Sequence, residues 1–202
     1  MQSPSLNRST PSAPPIPRHR LWAVRLTLFM ACIGTVATSP SASPGVVSEY
    51  EGPSLRLTTE APTATRHFRV RVSSEKHSSG PVELDLTAQI TARWRPADPS
   101  STVKPWLLTR LYLPSEVNPG PGQGEVLVLE EPGRPVTAWA RTGSASECKL
   151  GQVCEWDVPL EFELQPNAAA GAVDVDWTVR AEARAEGMTQ MPKGFTVQIS
   201  EN

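Results

Sequence analysis

The chain has 202 residues, with 19 Lys and Arg against 21 Asp and Glu and a formal net charge of −2. All the acids lie beyond residue 37, and four arginines (Arg8, Arg18, Arg20 and Arg25) precede it, so the remainder holds 15 cations against 21 acids, a charge of −6. That balance lacks the basic face that nucleic acid or an anionic lipid surface requires, and it excludes both as expected partners.

Residues 1–20 are rich in Ser and Pro and contain no acid. Such a segment cannot bury a core and is expected to be disordered. Arg18, His19 and Arg20 precede an apolar stretch whose clean run is Leu26–Ala37. That is signal-peptide length and short of the roughly 20 residues that span a bilayer. Residues 1–37 are therefore expected to be a disordered leader plus signal peptide, cut after Ala37, leaving no membrane span in the mature chain. Cys32 raises lipid anchoring as an alternative, but only Ala31 of the preceding residues fits a lipoprotein pattern and Met30 is bulky. The abundance of Arg over Lys, with frequent Ala, Pro and Gly, suits a GC-rich bacterial genome.

Residues 38–53 read as a linker in which Val46–Tyr50 could dock. From residue 54 to 202 the pattern is β. Leu55 and Leu57 suggest a short strand, and Phe68, Val70 and Val72 alternate with Arg69 and Arg71 in a second. In Val82–Arg95 the residues Val82, Leu84, Leu86, Ala88, Ile90, Ala92 and Trp94 share one phase. Pro96 ends that strand, because proline removes a ladder donor. Trp106–Leu113 is apolar on both phases and reads as a strand between prolines. Glu125–Glu131, Val136–Arg141 and Phe195–Ile199 are further strands, separated by Gly- and Pro-rich turns.

Cys154–Glu186 carries the strongest alternation. Cys154, Trp156, Val158, Leu160, Phe162 and Leu164 share one phase of the first arm, and Val173, Val175, Trp177, Val179 and Ala181 one phase of the second. The two arms read as a hairpin closed by residues 166–171, with its dry face covered by a second sheet that has Val82–Arg95 at its centre. Pro159 places the first arm at a sheet edge, or at a bend where the chain changes sheet. With about nine strands and turn signals about every 8–12 residues, the fold class is all-β: a two-sheet antiparallel β-sandwich, immunoglobulin-like in general form.

Cys148 and Cys154 are the only cysteines after the leader, an even pair expected to form a disulfide. A redox pair usually has two residues between its cysteines, and zinc needs ligands beyond His67 and His77, so no metal or cofactor is expected. Glu161, Glu163, Asp174 and Asp176 would share one face of the hairpin, the one setting for an enzyme of unrecognised type using an acidic strand face. That face is open to solvent and lacks the cleft that paired-carboxylate hydrolysis needs. It also lacks a D-x-D-x-D-G calcium loop. No G-x-S-x-G, H-E-x-x-H, P-loop or dinucleotide fingerprint occurs.

Trp94, Trp156 and Trp177 sit on apolar phases and are expected in the core. Trp106, Trp139 and Tyr112 are the candidates for ligand stacking, as in a carbohydrate-binding module, although packing is the simpler account because small sandwiches need large aromatics inside. The expected protein is an exported, non-catalytic β-sandwich, monomeric, with a binding or structural role in the bacterial cell envelope (periplasm or surface) or outside the cell. Its expected partner is a protein or a carbohydrate.

Overall fold

The structure, a computed structural model, describes residues 43–75, 80–113, 123–143, 148–165 and 170–201. The leader over residues 1–37, including Cys32, lies outside these residues, as do His77 and residues 114–122 and 166–169. Ten strands follow in chain order: β1 (Gly45–Glu51), β2 (Leu55–Thr58), β3 (Thr63–Ser73), β4 (Val82–Pro96), β5 (Trp106–Leu111), β6 (Gln123–Val128), β7 (Pro135–Gly143), β8 (Cys154–Leu164), β9 (Gly171–Ala185) and β10 (Thr196–Glu201). They form two antiparallel sheets of five strands. Sheet I runs β1–β9–β4–β7, with β2 also on β9, and sheet II runs β10–β3–β8–β5–β6.

Alternation explains why the sheets pack. Every second residue of β4 from Val82 to Trp94, and of β9 from Val173 to Ala185, is buried, as are Val158, Leu160, Phe162 and Leu164 of β8. These dry faces meet in one core that also holds Phe68, Val70, Leu107 and Leu111. Trp94 and Trp177 lie within it, and Trp156 packs against it partly buried. Fully burying side chains of this size stabilises the fold by roughly 1.5–3 kcal/mol each.

The pairing of the long strands differs from the expected hairpin. β9 pairs with β4 along its full length, from Val82 opposite Ala185 to Pro96 opposite Gly171. β8 lies in the other sheet, between β3 and β5. The two arms therefore lie in opposite sheets with the core between them instead of side by side. This arrangement turns the apolar faces of both arms into one shared core, whereas a hairpin would leave both needing cover. Layers about 10 Å apart are within reach of the connection between them.

Pro159 is likewise not at an edge. It sits inside β8 opposite His67 of β3. Its carbonyl accepts from the Tyr112 N–H at 3.3 Å. Carbonyl and N–H of one strand residue point to the same flank. The missing donor therefore faces Tyr112, so the bond that would complete this pair cannot form, and the β5–β8 ladder stops at Leu111 opposite Leu160. The segment read as a linker also contributes to the sandwich: β1 pairs with β9 from Gly45 opposite Arg184 to Glu51 opposite Thr178. β1 and β2 are one edge strand broken at Gly52-Pro53-Ser54, since β2 continues on β9 from Leu55 opposite Val175.

The expected disulfide is present. Cys148 and Cys154 are bonded, with Cα atoms 6.0 Å apart. The loop they close turns at Gly151, whose φ of 87° suits glycine. It bridges the layers: Cys148 C=O accepts from Val82 N–H at the start of β4 in sheet I, while Cys154 begins β8 opposite Val72 in sheet II. Leu150 N–H donates to Gly80 C=O, and Gly151 N–H donates to Ser74 Oγ at 2.7 Å. Cys148 and Leu150 are buried, so the loop closes one end of the core.

Candidate functional site

The outward face of sheet II is charged on β3 and β8. Glu155, Asp157, Glu161 and Glu163 of β8 point outward, and basic side chains of β3 and β5 stand on either side of the strip. Arg71 Nε lies 3.5 Å from Glu155 and His67 Nδ1 lies 3.7 Å from Asp157. Arg110 Nη1 lies 3.1 Å from Glu163 and 3.8 Å from Glu161. Pairs this exposed contribute about 0–1 kcal/mol each. On β5 and β6 the same face turns apolar. Trp106 stands opposite Val128, and Leu108 opposite Val126, with both valines about half exposed.

The four carboxylates expected to cluster do not meet. Glu161 and Glu163 are on the outward face of sheet II, and Asp174 and Asp176 are on the outward face of sheet I, with the core between them. Asp174 is paired with Arg95. Asp176 accepts from Ser54 Oγ at 2.6 Å and lies 3.8 Å from Arg93 Nη1. The hairpin reading had put all four on one face; exchanging hairpin pairing for face-to-face packing separates them. Among the described residues no group of three or more His, Cys, Asp or Glu side chains is placed to hold a metal ion.

The three aromatics singled out for stacking also fall on two faces. Trp106 and Tyr112 lie on sheet II and its continuation past β5. Trp106 is half-buried, and Tyr112 donates its hydroxyl to Glu161 Oε2 at 3.2 Å. Partial burial, then the negative charge of Glu161, pushes the Tyr112 hydroxyl above its ordinary value, against the nearby Arg110. Trp139 is on sheet I, on the outward phase of β7 with Thr137 and Arg141, and is 51 % exposed. It is the only aromatic among the exposed large hydrophobic side chains of the described residues.

Around Trp139 the sheet forms a polar row. Trp139 stands opposite Gln89 of β4, Gln89 opposite Thr178 of β9, and Thr178 opposite Glu51 of β1. One rung down, Thr137 stands opposite Thr91, with their hydroxyls 3.1 Å apart, and Thr91 stands opposite Asp176. The break between β1 and β2 opens a shallow recess of about 80 Å³ at the far end of this row, lined by Glu51, Ser54, Gln89, Thr91, Asp176 and Thr178. The indole of Trp177 floors it from the core side and donates to Pro53 C=O at 3.1 Å. Gln89 and the recess were not singled out in the sequence. The phase that Trp139 shares with Thr137 and Arg141 was the available signal for its exposure. A larger open recess of about 410 Å³ lies at the corner between β1 and β10, lined by Arg69, Arg71 and Glu155, with Arg71 already paired with Glu155.

No protein-family model and no curated protein matches the chain. Among solved structures it is similar to capsid chains of infectious bursal disease virus. One is from the structure of the Gx strain (8 % identity, TM-score 0.31, covering 79 % of this chain and 33 % of that one). Another is from the T13 viral particle (10 % identity, TM-score 0.37, covering 80 % of this chain and 41 % of that one). The chain thus spans less than half the length of these viral chains, and superpositions this loose bear on no functional reading.

Proposed function

We propose that the protein is an exported, non-catalytic β-sandwich that binds a component of the bacterial cell envelope or its surroundings, through the outward face of sheet I. The observation that carries the binding role is Trp139, an indole left half in water at the middle of a strand whose inward neighbours Ala138 and Ala140 are buried. Export is supported by the Cys148–Cys154 disulfide, a bond that persists in oxidising compartments, together with the basic and then apolar leader. The non-catalytic reading is supported by the pairing of the outward carboxylates with arginines on adjacent strands.

The test is fractionation of cells expressing the full chain with a C-terminal tag, followed by sedimentation of the exported protein with isolated envelope material. The expected result is a mature protein beginning at Thr38 that cosediments with the envelope and is released by Trp139→Ala. Retention in the cytosol with the leader attached would overturn export. Failure to cosediment would overturn the binding role. A hydrolytic activity that survives purification and is lost with one side-chain change would overturn the non-catalytic reading.

A further inference from the structure

We infer that the row from Trp139 to the recess between β1 and β2 is a binding site for a neutral polysaccharide; this names the ligand class and rests on the binding role proposed above. The argument starts from shape. The row crosses four neighbouring strands, β7, β4, β9 and β1, so three strand spacings of about 4.8 Å give it a length of roughly 14 Å. That is a narrow, extended footprint, suited to a short run of sugar units lying across the strands. It is too shallow to enclose a compact small molecule, which is mostly buried in a cleft of about 300–1,000 Å³.

Chemistry along the row fits the same ligand. A sugar ring has an apolar face of C–H groups and an equator of hydroxyls. Trp139 offers a flat apolar surface that is rigid in its strand and already half exposed. Beyond it come Gln89, Thr178 and Thr91, amide and hydroxyl groups that donate and accept. At the recess, Glu51 and Asp176 add carboxylate acceptors for sugar hydroxyls. Ser54 and Arg93 hold the Asp176 carboxylate in place, so it is oriented before the ligand arrives.

Charge at the recess favours a neutral over an acidic polymer. Two carboxylates line the recess and no Lys or Arg does; Arg93 lies 3.8 Å from Asp176, and Arg141 and Arg180 stand opposite Thr87, one rung from the row. A uronate or sulfate there would meet like charge, which disfavours binding. A hydroxyl-rich neutral chain meets acceptors.

The experiment is affinity electrophoresis of the protein produced from the full chain. The gels hold dextran, hydroxyethylcellulose, mixed-linkage β-glucan or galactomannan, with alginate and heparin as the anionic arms. The expected result is retardation by at least one neutral polymer and by neither anionic one. Trp139→Ala should weaken the association about ten-fold or more, the scale of one aromatic contact, and Gln89→Ala should weaken it measurably. Trp106→Ala, on the other sheet, should leave it unchanged. Retardation by no neutral polymer, retardation by the anionic arms only, or undiminished binding by Trp139→Ala would overturn the assignment. Should the exported protein still cosediment with envelope material while no neutral polymer retards it, the ligand class falls and the binding role stands. Loss of both overturns both.

Discussion

The indole of Trp177 occupies the space that a side chain at residue 52 would fill. A Cβ on Gly52 would stand 1.9 Å from Trp177 Cζ2, and the same indole donates to Pro53 C=O at 3.1 Å. The break in the edge strand and the orientation of a core tryptophan are thus one feature. Gly52→Ala should force the ring or the edge to move and destabilise the fold by about 1–3 kcal/mol, the usual range for overpacking. Denaturant unfolding followed by tryptophan fluorescence measures it. An unchanged midpoint would mean that the edge yields freely there.

The disulfide loop joins the layers at one end of the core. The chain-entropy relation for a loop this short gives about 2–3 kcal/mol. The double change Cys148→Ala, Cys154→Ala should cost about that much and expose local backbone more than distant backbone. Val82 N–H, bonded to Cys148 C=O, and Leu150 N–H, bonded to Gly80 C=O, tie this loop to the start of β4 and should lose hydrogen-exchange protection first. The centre of the β4–β9 ladder should keep its relative protection. Uniform loss across both sheets would instead place the effect on the whole fold.

Alternation in β8 predicts opposite outcomes for neighbouring residues. Leu160 is fully buried, while Glu161 points outward beside Arg110. Leu160→Ala should cost about 2–5 kcal/mol, since it leaves a cavity in a close-packed interior. Glu161→Ala should cost about 1 kcal/mol or less, because exposed ion pairs contribute little. Thermal or urea unfolding of both variants checks the contrast, and comparable losses would contradict the register of β8.

These pairs also mark what a sequence can reveal here. A period of two states which side chains share a face, so the buried phases of β4, β8 and β9 were legible residue by residue. It does not state which strands are neighbours. β8 and β9 look like hairpin arms because they are consecutive and alternate equally well, yet they lie in different sheets and contribute to the core from opposite sides. Pro159 pointed to an edge because proline lacks a donor; whether that donor is needed depends on where β5 stops, which is a matter of register. Trp139 shared its phase with Thr137 and Arg141, so its exposure was readable, against the general tendency of large aromatics to be buried. The recess was not readable, because it exists only where the β1–β2 break meets Trp177 from another part of the chain.

The two tyrosines offer a measurement free of overlap, since Tyr50 and Tyr112 are the only ones in the chain. Both hydroxyls are held above the ordinary value of 10.0. For Tyr50 the main cause is its hydrogen bond to Glu201 Oε2 at 2.7 Å, with burial second. For Tyr112 it is burial, followed by the charge of Glu161. A raised value in the folded protein means that folding favours the neutral phenol. The associated stability is therefore complete below about pH 10 and is lost as pH rises through the folded values. Near-ultraviolet titration of the folded protein should show both phenolates forming later than in denaturant, where they should titrate near 10. Tyr50→Phe should leave a single late transition belonging to Tyr112, and Glu201→Gln should bring the Tyr50 transition down. Urea midpoints taken from pH 8 to 11 should fall across the same interval in the parent and fall less in Tyr50→Phe. Coincident folded and unfolded titrations would mean that neither hydroxyl is held by its carboxylate, and that the contact between β1 and β10 at Tyr50 and Glu201 contributes nothing to the fold.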